Sequence, residues 1–262
     1  LAEAEVHGVD LDPRHGVAAG VVVAEDLGEE APEGRDGVED PVAVADAVLV
    51  EGAEEIKLGV LIGFTGPIES LTPSMAAAAE LAAKEISDSG KLLGGSTVTM
   101  IRADSTCTDA AVAQSAAEKL VTGDGVKGIV GADCSGVTGA VLSNVAVPNG
   151  IVMISPSATS PALSVADDKG LFFRTAPSDA REGEIAADIM LERGVKTAAM
   201  TYTNNDYGKG LAEAIQKSFE AKGGKITISA AHEDGKSDYS AEVGALASAG
   251  GDILIVAGYL DQ

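Results

Sequence analysis

The chain has 262 residues, 45% of them hydrophobic, which is enough for one large domain or two small ones with cores of their own. A formal net charge of -23 excludes a binder of nucleic acid or of an anionic membrane surface, because both depend on Lys and Arg neutralising phosphates. Only 3% of residues are aromatic and Trp is absent, while Ala, Gly and Val abound, so small-residue packing of helices on a parallel sheet is favoured over an all-β sandwich.

Residues 1–54 read differently from the rest. They use nine residue types only (Ala, Val, Gly, Asp, Glu, Leu, Pro, Arg and His), and their 15 acidic residues face Arg14 and Arg35 alone. Each of those types has codons beginning with G or C, the bias expected when a GC-rich gene is translated from its opposite strand. One expectation is therefore that this segment is non-native and stands in place of a signal peptide. The other is an acidic low-complexity tail that buries too little apolar surface to fold. No basic and apolar leader is visible in the sequence, and no apolar stretch has the length needed to cross a bilayer.

From Glu55 onward, apolar runs alternate with amphipathic, Ala-rich stretches. The pattern predicts strands over 56–62, 97–101, 127–130, 151–154, 171–174, 197–201, 225–230 and 252–256, and helices over 73–88, 108–121, 136–146, 179–193, 207–222 and 239–248. Such alternation implies right-handed βαβ units, hence an α/β fold of parallel sheets covered by helices, with ligands beyond the carboxyl ends of the strands. Residues 172–184, FFRTAPSDAREGE, end one series and begin another, and Pro177 with a cap at Ser178 or Asp179 marks the break. Three segments follow: 1–54, a first lobe over 55–175 and a second lobe over 176–262.

The strand-to-helix loops carry Gly, Ser and Thr: GFTGPIES (63–70), DSTCTD (104–109), GADCSGVTG (131–139), SPSATSP (155–161) and TNNDYGKG (203–210). Several open a helix, where unpaired N–H groups favour a carboxylate, so a small anionic or zwitterionic ligand is expected. Cys107 and Cys134 are by their number alone compatible with a disulfide, a reactive pair or two buried thiols. An enzyme finds little support. His7, His15 and His232 are the only histidines, there is no GxGxxG after the first strand, no phosphate-binding GxxxxGK[ST] loop, no GxSxG elbow and no cluster of metal ligands. Neither a catalytic residue, nor a metal, nor a cofactor is expected.

In order and spacing, EIKLGVLIGFTGPIES, GADCSGVTGAV, MISPSATSPALS, FFRTAPSD, NNDYGKGLAEAI and GKSDYSAEV resemble the type I periplasmic binding proteins of the leucine/isoleucine/valine group, over about residues 55–262. The resemblance implies two doubly wound parallel-sheet lobes that close over an amino acid and deliver it to the permease of an ABC importer. It implies a non-enzymatic, monomeric, periplasmic protein that meets the membrane only through that permease. A cytoplasmic amide sensor or a receptor's ligand domain is the alternative use of the same fold. It further implies a disulfide between Cys107 and Cys134. Ser135 receives the ligand carboxylate, with an ordinary N-cap as its other reading. In the run Ser157, Ala158 and Thr159, Ser157 offers a backbone carbonyl to the ammonium, and Thr159 offers its N–H and hydroxyl. Tyr207 and Tyr259 cover the ligand from the second lobe, and Leu71 stands where an aromatic often lines the side-chain pocket. The family's acidic ammonium partner lies later in the second lobe than Gln262, so that lobe and its share of the site are expected to be incomplete.

Overall fold

The computed structural model describes residues 52–259, and the two readings of the acidic segment fall, apart from residues 52–54, outside them. The order is β1 (Glu55–Ile62), α1 (Thr72–Asp88), β2 (Thr97–Asp104), α2 (Ala110–Glu118), β3 (Gly128–Gly131), α3 (Ser135–Val141), the short α4 (Val147–Asn149), β4 (Val152–Ser155) and β5 (Phe172–Arg174). After the crossover come α5 (Asp179–Glu192), β6 (Thr197–Thr203), α6 (Asp206–Ala221), β7 (Lys225–His232), α7 (Ser240–Ala249) and β8 (Ile253–Ala257). Every strand and helix expected from the alternation is present. The ends differ. Parallel pairing carries β2 on to Asp104, opposite Ile62, and β6 to Thr203, opposite His232, beyond the point where the apolar pattern fades.

Local chemistry explains most boundaries. Asp109 accepts the N–H groups of Ala111 and Val112 and so starts α2, and Asn205 does the same for α6 through Tyr207 and Gly208. Ser178, not Asp179, caps α5 by accepting the Ala180 N–H. Beyond α2 the helix widens into a π-type turn, Lys119–Asp124, which ends at Gly125 in the left-handed conformation. A second π-type turn, Leu142–Ala146, joins α3 to α4, so the helical run is continuous from Ser135 to Asn149.

All strands among the described residues are parallel and form two sheets. The first has the order β2-β1-β3-β4-β5, the second β7-β6-β8. In the first, the chain winds one way from β1 to β2 and the other way from β3 onward, so the direction reverses between β1 and β3. In the second it reverses between β6 and β8. Loops diverge at such points and leave a crevice beyond the carboxyl ends of the strands. Gly131, at the end of β3, has φ +137, and a Cβ there would stand 2.0 Å from the Leu61 carbonyl, so only glycine lets β3 lie this close to β1.

Each sheet has its own core. Leu61, Leu120, Val137, Val141 and Met153 are fully or nearly fully buried in the first lobe, and Met200, Leu211, Ile215 and Phe219 in the second. Burial of each of the larger side chains stabilises its lobe by about 2 kcal/mol. The second lobe holds three strands among the described residues, and on its edge strand β8 Leu254 and Val256 are 55% and 61% exposed; the first sheet also leaves apolar side chains open at Ile154 on β4 and Phe173 on its edge strand β5. No helix among the described residues is long and apolar enough to cross a membrane.

Candidate functional site

A cavity of about 270 Å³ opens where the two reversal points face each other. Pro67, Ile68, Ser70 and Leu71 reach it from the loop after β1, and Met75 from the first turn of α1. Asp133, Cys134 and Ser135 come from the loop after β3, and Ser157 and Thr159 from the loop after β4. Glu182 of α5, Tyr207 of α6, and Gly258 and Tyr259 after β8 complete it. The wall is apolar toward Ile68, Leu71 and Met75 and hydroxyl-rich toward Ser135 and Thr159, which suits a ligand with one apolar and one polar end.

Asp133 organises the first-lobe side. Its carboxylate accepts from Gly63 N at 2.7 Å, from the Ser105 hydroxyl at 2.9 Å and from Cys134 N at 3.1 Å, tying together the loops after β1, β2 and β3. Burial pushes its carboxyl above the usual range, and the Gly63 N–H and Ser105 hydroxyl pull it back by favouring the carboxylate. A Cys107–Cys134 disulfide fastens the same loops, with Cα atoms 5.1 Å apart.

The N-cap of α3 is Cys134, whose side chain makes no capping bond, and the N–H groups of Ser135, Gly136 and Val137 have no partner among the described residues. Ser135 is therefore not the N-cap. Its Oγ instead accepts Thr159 N at 3.2 Å and Ser160 N at 3.1 Å, drawing the loop after β4 onto the start of α3. The Thr159 N–H is thus engaged within the lobe, and only its hydroxyl stands free of that pair. Ser157 donates its hydroxyl to the Asp133 carbonyl at 2.9 Å, while its own carbonyl has no partner among the described residues. Ala158 is not brought to the cavity: it is fully buried, its N–H goes to Ser155 Oγ at 2.9 Å, and its carbonyl accepts from Arg174 at 3.2 Å. A residue flanked by two loop-facing neighbours points inward, which its sequence neighbourhood does not reveal.

From the second lobe, Tyr207 and Tyr259 stack with ring centroids 5.5 Å apart. Tyr259 crosses to the first lobe: its hydroxyl lies 3.8 Å from Cys107 Sγ and accepts from Asn205 Nδ2 at 3.1 Å. Burial lifts its phenol to about 12. The lobes also touch at Gly210, where a Cβ would be 3.1 Å from both Pro161 Cδ and Ser160 Oγ. A larger residue at 210 would require Pro161 and Ser160 to give by a few tenths of an ångström.

Three acidic residues near the site escaped the sequence reading. Asp133 is one, although its place beside Cys134 at the end of a strand was a signal for it. Asp179 sits in the first turn of α5, 1% exposed, with no hydrogen-bond partner for either carboxylate oxygen among the described residues. Its N–H donates to the Thr159 carbonyl across the crossover. Burial raises its carboxyl to about 6; Glu182 adds to that rise and Arg174 opposes it. Glu182, one turn further along α5, is exposed and faces the cavity. Among the described residues no group of three or more metal-ligating side chains is close enough to hold a metal ion.

This architecture has counterparts among known proteins. The sequence profile of the periplasmic binding protein family matches residues 55–262. The chain belongs to that family. It is 35% identical over 212 residues to Leu/Ile/Val-binding protein homolog 3 of Brucella melitensis, covering 78% of this chain and 55% of the relative. It is 32% identical over 208 residues to the leucine-, isoleucine-, valine-, threonine- and alanine-binding protein of Pseudomonas aeruginosa, covering 79% of this chain and 54% of the relative. Among solved structures, the branched-chain amino acid transporter substrate-binding protein LivJ of Streptococcus pneumoniae with isoleucine superposes with a TM-score of 0.66 at 27% identity, over 77% of this chain and 56% of that one. A Rhodopseudomonas palustris solute-binding protein in complex with benzoate gives 0.68 at 24% identity, over 78% and 55%, and speaks for the fold alone. The chain spans about half the length of the curated relatives that it matches.

Proposed function

We propose that this chain is part of the substrate-binding component of an ABC importer, which captures a branched-chain or related amino acid between its two lobes and delivers it to a membrane permease. One observation carries the reading: a single cavity at the reversal points of both sheets collects Ser135, Ser157, Thr159, Tyr207, Tyr259 and Leu71. Each part suits an amino acid. The unpaired N–H groups of Ser135, Gly136 and Val137, at the positive end of a continuous helical run, suit the carboxylate, and the Ser135 hydroxyl still has its proton to donate. The Ser157 carbonyl and Thr159 hydroxyl suit the ammonium. Ile68, Leu71 and Met75 offer an apolar wall to an aliphatic side chain, and the stacked tyrosines form the opposite face. The relatives whose names specify leucine, isoleucine and valine support that choice of ligand.

Closure of the lobes would cage the ligand, and the Tyr259 contact with Cys107 and the close approach at Gly210 are the surfaces on which closure would register. The disulfide suits an oxidising compartment, and with the family membership it supports a periplasmic location. Titration calorimetry with leucine, isoleucine, valine, threonine, alanine, glutamate and benzoate tests the reading. The branched aliphatic amino acids are expected to bind most tightly, and Thr159→Ala to weaken them about tenfold by removing one hydrogen bond to a charged group. Binding of benzoate in preference to every amino acid would overturn it.

A further inference from the structure

The amino-acid reading leaves open how the site tells an amino acid from a carboxylate of the same shape, and one side chain bears on that. Among the described residues, the cavity wall contains no Lys, Arg or His. Of its two carboxylates, Asp133 is saturated by Gly63, Ser105 and Cys134 and is spent on holding loops together. Glu182 is different: its carboxylate has no hydrogen-bond or ion-pair partner among the described residues, although Arg181, its neighbour in sequence, is turned to Glu184. Its charge is felt at this end of the cavity, since it helps to hold the Tyr207 phenol and the Asp179 carboxyl above their ordinary ranges, in each case behind burial as the main cause.

Resting on the proposed amino-acid site, we infer that Glu182 sets the charge class of the ligand, by meeting its positive group from the second-lobe side and repelling a carboxylate that carries none. Arg174 already offsets part of the charge on the buried Asp179, whereas Glu182 has no cation beside it among the described residues, and the ligand's own ammonium can supply one. A ligand that brings a carboxylate alone adds a third negative charge to that end and receives only neutral N–H and hydroxyl donors in return. Position favours this role as well. Glu182 lies one helical turn beyond Asp179, whose backbone N–H is tied to the Thr159 carbonyl, so α5 holds the Glu182 carboxylate opposite the loop that carries Ser157 and Thr159.

The test is titration calorimetry of the whole chain with leucine and with 4-methylpentanoate, which has the same skeleton without the amino group, on wild type, Glu182→Gln and Glu184→Gln. Glu182→Gln is expected to weaken leucine about tenfold while leaving 4-methylpentanoate unchanged or tighter, because one charge interaction of this kind is worth about one decade. Glu184→Gln, which removes a like charge on the same helix outside the cavity, is expected to change neither ligand. Glu182 is exposed and unpaired, so Glu182→Gln should melt with the wild type, and Glu184→Gln, which gives up only its exposed ion pair with Arg181, should melt close to it. An equal loss for both ligands, or leucine binding indifferent to Glu182, overturns this inference and leaves the amino-acid reading intact. A folded wild type that binds neither leucine nor any other amino acid overturns the reading beneath it.

Discussion

In the first lobe, five parallel strands present four loops whose polar groups are bonded mainly to one another. Asp133 joins the loops after β1, β2 and β3, the disulfide joins two of the same loops, and Ser135 pulls in the loop after β4. In the second lobe, three strands among the described residues present Tyr207 and Tyr259, which rely on stacking, on one bond from Asn205 and on the first lobe itself. The half that would receive the charged end of a ligand is pre-arranged, and the half that would cover it is held lightly. That division suits a receptor, since pre-arranged donors lose little freedom on binding and a lightly held cover is free to move.

The comparison breaks most severely at Asp133. Asp133→Ala would leave Gly63 N, Cys134 N and the Ser105 hydroxyl without their buried acceptor, and a loss of about 4 kcal/mol in urea unfolding is expected. Replacing both cysteines by Ser is expected to cost about 3.5 kcal/mol, the chain entropy released when a loop of 27 residues is no longer closed. A loss under 1 kcal/mol from either change would mean that the first lobe is not held together in this way.

Asp179 should move stability in the opposite direction. Its carboxyl titrates near 6 in the folded chain and near 3.8 when unfolded, so the unfolded chain releases its proton first and stability falls as pH rises from about 4 to about 6. Asp179→Asn is therefore expected to stabilise the chain by about 3 kcal/mol at pH 8 and to make no difference at pH 3. Thermal melts across that range check both the size and the sign. The smallest effect is expected at Tyr259: Tyr259→Phe removes the bond from Asn205 and should cost about 1 kcal/mol, with no change in hydrogen exchange at the Gly63 and Cys134 amides. Faster exchange at those amides would mean that the cover also supports the first lobe.

Much of this was legible in the sequence. The alternation of apolar runs with Ala-rich stretches placed each strand and helix, and with them the loops that meet at the reversal points. Pro177 with a cap at Ser178 or Asp179 announced the start of α5, and the structure gives that cap to Ser178. What stayed hidden depends on contacts between distant parts of the chain. Nothing local says that the Ser135 hydroxyl is taken by N–H groups 24 and 25 residues away, or that Asp133 accepts from Gly63, 70 residues earlier. Ala158 reads as part of a loop-facing run until Ser155 and Arg174 are seen to hold its backbone inside. Asp179 reads as a cap until Ser178 takes that role and leaves its carboxylate buried.

The central claim is that one cavity, shared by both lobes, receives a small amino acid. The most direct measurement is backbone amide NMR of the chain titrated with leucine. Saturable shifts are expected at Ser135, Gly136 and Thr159 in the first lobe together with Tyr207 and Tyr259 in the second. Saturable shifts confined to one lobe, or centred away from these residues, would contradict it.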